Sequence, residues 1–144
     1  MNMGCGKDGC GCEEIMGLAH IGVFVDDIEV SKAFYMDVLC FECFDESAID
    51  GESGTVKIAF IRNGSCVIEL VEFPEKKKRA VDSVIAHIAL NVKDIEIVQV
   101  CLEKKGVKFE TEKPVELPMV FDNGVKYIMF SGPDGEVLEL NETM

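Results

Sequence analysis

The chain has 144 residues, the size of one domain or of two very small ones sharing a core. Lys and Arg number 14 against 27 Asp and Glu, so the formal charge is −13, a balance that argues against nucleic acid and anionic membrane surfaces as partners. Apolar residues make up 48%, enough for a real core, which excludes global disorder.

Seven cysteines stand at 5, 10, 12, 40, 43, 66 and 101, an odd number with four in apolar segments. The N-terminal MNMGCGKDGCGC has no apolar h-region, and no run nears the roughly 20 residues that span a bilayer. The expectation is reduced thiols and a cytoplasmic protein.

Residues 1–16 read as a flexible Cys/Gly tail. Leu18–Val25 (LAHIGVFV) is short, apolar and β-rich, the pattern of a buried strand. Asp27 sits at a helix N-cap position. Val30, Phe34 and Val38 are four apart, with Tyr35 beside Leu39, which predicts a helix over 28–39. Segments 55–61 (TVKIAFI) and 66–72 (CVIELVE) read as strands about the Asn63-Gly64 turn. A polar linker covers 74–83. In the second half, a helix is predicted over 95–105 with Gly106 as C-cap, and a final hairpin turns at Gly132-Pro133-Asp134-Gly135.

The two halves repeat. AHIGVFVDDIEV (19–30) and AHIALNVKDIEI (86–97) share seven of twelve positions, and VIEL (67–70) answers VLEL (137–140). A unit of this length is too long for a solenoid and reads as a duplicated βαβββ module, over 17–73 and 84–144. The chain's two histidines, His20 and His87, occupy the same repeat position. Strand alternation puts His20 with Gly22 and Phe24, and His87 with Ala89 and Asn91, away from the apolar side that packs on the helices. The histidine side is expected to face a cavity. Glu69 and Glu139 are acids within otherwise apolar strands, and each needs a compensating partner. One divalent ion satisfies His20, Glu69, His87 and Glu139 together. An N/O set of this kind suits Ni, Co, Mn, Fe or Zn, and octahedral filling leaves two positions for water or substrate.

The motifs HIGVFVDDIEVSKAFYMDVL, VIELVE, HIALNVKDIE and FSGPDGEVLELNE resemble the vicinal oxygen chelate (glyoxalase/bleomycin resistance/dioxygenase) superfamily over about residues 17–142. The resemblance implies an α+β fold in which two βαβββ modules form a curved eight-stranded mixed sheet around a metal site. The glyoxalase I (lactoylglutathione lyase) branch uses His, Glu, His, Glu in the order of His20, Glu69, His87 and Glu139. It implies a metal-dependent lyase or isomerase that moves a proton next to a carbonyl through an ene-diolate. Glu139 is then the base and Glu69 a second catalytic carboxylate. Methylmalonyl-CoA epimerases are similar but usually carry Gln at the second ligand position, and non-catalytic small-molecule-binding or resistance members of the fold lack the ligands. Family members pair as homodimers, some sharing ligands between chains. Glutathione-using members carry polar anchors where this chain has Phe24 and Phe73, and the helix that usually ends in Gly ends here at Cys40.

The other features have plainer readings. Lys76–Arg79 is the basic run of an acidic chain and reads as a solvated linker, with an anionic substrate group as its alternative role. Cys5, Cys10 and Cys12 match no zinc spacing. Cys43, Cys66 and Cys101 read as small core residues. The stretch 111–124, with Met119 and Phe121, reads as a flap over the cavity or as a connection.

Overall fold

The computed structural model describes residue 18 and residues 20–75, 87–118, 120 and 122–144. The Cys-rich stretch 1–16, the basic run Lys76–Arg79, Met119 and Phe121 lie outside the described residues.

The first module runs β1 (Ile21–Phe24), α1 (Ile28–Ala33), β2 (Glu42–Gly51), β3 (Gly54–Asn63) and β4 (Cys66–Glu72). The second runs β5 (Ile88–Asn91), α2 (Ile95–Lys104), β6 (Val115–Leu117), β7 (Val125–Ser131) and β8 (Val137–Thr143). The α+β architecture of two βαβββ modules is therefore present. Its eight strands form two mixed four-stranded sheets, ordered β1-β4-β3-β2 and β5-β8-β7-β6, with the first pair of each parallel and the others antiparallel. The histidine-bearing segments lead into β1 and β5, which stand at corresponding edges.

Both helices start as the sequence predicts. The Asp27 carboxylate accepts from the N–H groups of Glu29 and Val30, and that of Asp94 from Ile97. A second carboxylate reaches each start from the last strand of the same module. Glu72 accepts from Ile28 N–H at 2.7 Å and Glu142 from Ile95 N–H at 2.8 Å. An anion beside these unsatisfied amides is also favoured by the helix dipole.

The two helices then differ. The expected helix over 28–39 is α-helical only to Ala33, and Phe34–Val38 form a π-helical turn. From His20 to Cys40 is 20 positions, and from His87 to Gly106 is 19. Both end residues are left-handed, at φ 57 and 92. The first module therefore carries one extra residue between equivalent points, and the wide turn absorbs it. The buried stripe of this segment is Ile28, Ser31, Tyr35 and Leu39, while Val30 is 53% exposed. Ser31 is buried because its hydroxyl donates to Asp134 Oδ2.

One apolar cluster joins the modules and draws on both helices, including Ile28, Tyr35, Ile61, Ile68 and Leu70 from the first and Ile95, Leu102, Phe130, Leu138 and Leu140 from the second. Each fully buried Ile or Leu contributes roughly 1.5–3 kcal/mol. Polar contacts fix the register between the halves. Asp134 also accepts from Asp26 N–H, the Tyr35 hydroxyl donates to Glu136 Oε1 at 2.9 Å, and Lys105 Nζ donates to the carbonyls of Asp37 and Val38. Glu136 folds back across Gly132, where a Cβ would lie 2.3 Å from its carboxylate, so only glycine admits this arrangement. Burial pushes the Glu136 carboxyl above the usual carboxylate range and the Tyr35 hydroxyl above the usual phenol range.

The remaining expectations divide. Cys43 and Cys66 pack against the core, and burial raises both thiols. Cys101 does not: it is exposed, because α2 buries Ile95, Gln99 and Leu102 instead. The stretch 111–124 contains β6, which pairs with β7, so this part of it is sheet.

Candidate functional site

Strand alternation sorts the acids of β4 and β8. Ile68, Leu70, Leu138 and Leu140 point into the shared core and are at most 2% exposed. Glu69 and Glu139, between them, must point the other way. Parallel register sets Gly22 beside Glu69 and Ala89 beside Glu139, which places the preceding histidines within reach. His20 Nε2 lies 2.8 Å from Glu69 Oε2, and His87 Nε2 lies 3.3 Å from Glu139 Oε2. The repeat seen in the sequence is thus a repeat in space, one His–Glu pair on the outer face of each sheet.

The surroundings differ. Both histidine side chains are 40% exposed, but the Glu69 side chain is 22% exposed and that of Glu139 only 9%. The His20 ring meets the edge of Phe60 at 5.4 Å between centroids. Glu139 has a polar neighbour instead, with Asn141 Nδ2 donating to its Oε1 at 3.4 Å.

The pairs do not meet each other. Among the described residues, no three His, Cys, Asp or Glu side chains come together in a way that could hold a metal ion. Two clefts, of about 480 and 570 Å³, lie between the modules, and neither is lined by His20, Glu69, His87 or Glu139. Both sheets send one face into a single core, and His20, Glu69, His87 and Glu139 lie on the other.

As donors, each pair offers one imidazole nitrogen and a carboxylate, ligands that suit a borderline divalent ion, but only half of a coordination set. Asn141 Oδ1 is buried and has no hydrogen-bond partner, so the second half-site keeps an acceptor for an O–H or N–H group brought to it. On donor chemistry the residues fit a divalent ion as two halves.

Three contributing residues escaped the sequence reading. Glu72 and Glu142 follow Glu69 and Glu139 at the same spacing, and their recurrence, with strand parity, was a readable sign of a helix-capping role on the opposite face. Asn141 has no counterpart in the first module, where Val71 stands in its place, so the repeat gave no sign of it.

Comparison with known proteins agrees with the fold. Residues 17–140 match the model of the Glyoxalase/Bleomycin resistance protein/Dioxygenase superfamily. The chain belongs to that superfamily. It is 34% identical over 131 residues to the uncharacterized protein YwkD of Bacillus subtilis (strain 168), covering 89% of this chain and 98% of that one. It is 32% identical over 133 residues to a protein of Synechocystis sp. (strain ATCC 27184 / PCC 6803 / Kazusa) named probable lactoylglutathione lyase, covering 89% and 96%. The crystal structure of a glyoxalase family protein from Enterococcus faecalis superposes with a TM-score of 0.73 at 25% identity, covering 90% of this chain and 99% of that one. No helix among the described residues is long and apolar enough to cross a membrane.

Proposed function

We propose that the chain is a metal-dependent lyase or isomerase of the glyoxalase I type, acting on a small molecule by proton transfer next to a carbonyl. The observation that carries this reading is the pair of His–Glu contacts, at equivalent positions on the outer faces of the two sheets. The relative named probable lactoylglutathione lyase supports the reaction class.

His20 and Glu69 of one copy, with His87 and Glu139 of a second, would hold one divalent ion, whose identity among Ni, Co, Zn, Mn and Fe the donor set leaves open. When bound, such an ion lowers the energy of negative charge developing on substrate oxygens. Glu139 takes the proton from the carbon beside the carbonyl and returns it to the neighbouring carbon. Asn141 holds the Glu139 carboxylate through its Oε1. Glu69 assists from the opposite half.

A homodimer with two shared sites accounts for this arrangement, because the half-sites lie on the faces away from the core and β1 and β5 are edge strands among the described residues. Subunit mixing tests it. The His20→Ala and His87→Ala variants are each expected to lose the ion and the isomerisation of a 2-oxoaldehyde in the presence of a thiol. Mixed with exchange of subunits, they should regain about a quarter of the wild-type sites, because half the dimers are mixed and each of those has one intact site. No recovery on mixing, with exchange verified, would place the whole site within one chain. Wild-type metal content in either variant would remove that histidine from the site.

A further inference from the structure

The outer face of the first sheet carries more than His20 and Glu69. Phe24 is 58% exposed, Phe44 43% and Phe73 37%. They are not scattered. Phe24 and Phe73 are in contact, with ring centroids 5.5 Å apart, and Phe44 lies 6.1 Å from Phe60, which itself meets His20. The rings thus flank the His–Glu pair and extend from it along the strands. Phe24 is four residues beyond His20 and Phe73 four beyond Glu69, so the far pair of rings lies about 13 Å along the strand direction. Apolar side chains held in water as one patch beside polar groups mark a binding surface.

The described cations near this face are already engaged. Its cation among the described residues is Arg62, whose Nε donates to Glu42 at 3.3 Å and whose guanidinium lies 4.7 Å over the Phe44 ring. Lys57 falls on the opposite parity and is 3.5 Å from Glu72. Strands β5 to β8 hold one Lys, Lys126, which shares the core-side parity of Ile128 and donates to Glu96 in the first turn of α2. A phosphate-rich or carboxylate-rich carrier therefore finds no uncommitted cation among the described residues of either face.

We propose that Phe24 and Phe73 are specificity-determining residues, and that the substrate is a vicinal-oxygen compound whose far end is an uncharged apolar chain lying along the phenylalanine track. The proposal rests on the reading of His20, Glu69, His87 and Glu139 as one chelating site. The oxygens sit at that site, and the chain runs over Phe60 to the Phe24–Phe73 pair. Burying its methylene groups supplies affinity remote from the reacting carbon.

The test uses the full-length, metal-loaded protein and three hydroxamates as bidentate oxygen probes, read by calorimetry with metal content measured on the same samples. Octanohydroxamate is expected to bind at least about tenfold tighter than acetohydroxamate, and suberic acid monohydroxamate, of similar length but ending in a carboxylate, to lose most of that gain. Phe24→Ser with Phe73→Ser should abolish the gain and leave acetohydroxamate affinity unchanged. Equal affinities for the short and long probes, or tighter binding of the carboxylate-ended one, with a full metal complement, would overturn the apolar track alone. Absence of bound metal, together with no binding of acetohydroxamate, would overturn the chelating site and the proposal with it. If the paired Ser substitutions split a dimer in sedimentation, the rings are a subunit contact and the proposal falls.

Discussion

The two modules began as copies, and their differences mark what each contributes. The first has the long β2–β3 hairpin, the extra residue taken up by the π-helical turn at Phe34–Val38, and a half-site walled by aromatic rings. The second has a regular α2, a three-residue β6, and a half-site in which the carboxylate is deeper and held by an amide. On the proposed function, equal His–Glu pairs in unequal surroundings would divide the labour: the first module would shape what is bound, and the second would hold the group that reacts. Duplication preserved the core-facing pattern of Ile68, Leu70, Leu138 and Leu140, which packing constrains tightly, and kept the His–Glu pairs while the outward face around them diverged.

This contrast can be broken at Glu139 first, where the largest effect is expected. Glu139→Gln should reduce turnover by several orders of magnitude while leaving most of the metal bound. Glu69→Gln should cost less in rate. Equal rate losses, measured on samples of matched metal content, would erase the distinction between the halves. Next comes Tyr35, the buried group of the wide turn that joins one module to the other. Tyr35→Phe removes a donor from half-buried Glu136 and is expected to cost about 1–3 kcal/mol in denaturant unfolding.

That loss should also depend on pH. Because the folded-state pKa of Glu136 is raised, the unfolded chain gives up this proton first. The residue costs no stability below the ordinary carboxylate range, where both states hold the proton, and a growing amount as pH rises from there to its raised value. Loss of the hydroxyl raises the pKa further, so Tyr35→Phe should be more destabilising at pH 7 than at pH 4. A pH-independent loss would show that the bond to Glu136 is not what the hydroxyl supplies.

The smallest effect concerns the helix ends. Gly106 closes α2 in a left-handed conformation that suits glycine, whereas Cys40 occupies the same conformation with a side chain. Cys40→Gly should relieve strain and raise stability by up to about 1 kcal/mol, visible as a shift in the unfolding midpoint without change in slope. A loss of stability would mean that the thiol's packing outweighs the backbone strain.

Much of this was legible in the chain itself. Asp27 as N-cap, Gly106 as C-cap, the Asn63-Gly64 turn and the left-handed cost at Cys40 are local matters, decided by residues that touch one another in sequence. The pairing of His20 with Glu69 and of His87 with Glu139 was legible because duplication wrote it twice. Other features required the neighbours. Ser31 looks like a surface residue until Asp134 is seen beneath it. Val30 has helical spacing but faces solvent, because α1 turns Ile28 and Ser31 to the core instead. Cys101 is apolar in context yet exposed, since Gln99 and Leu102 hold the inner side of α2. Alternation along a strand tells which side chains share a face. It does not tell which faces meet, and that is why four residues read as one cluster appear here as two pairs.

The outward divergence of those pairs has a thermodynamic consequence. An ion shared between copies would be a ligand of the assembled state alone, so its uptake and self-association would form a single linked equilibrium. Dilution would then release the ion, a chelator would drive the copies apart, and specific activity would rise with protein concentration instead of remaining constant.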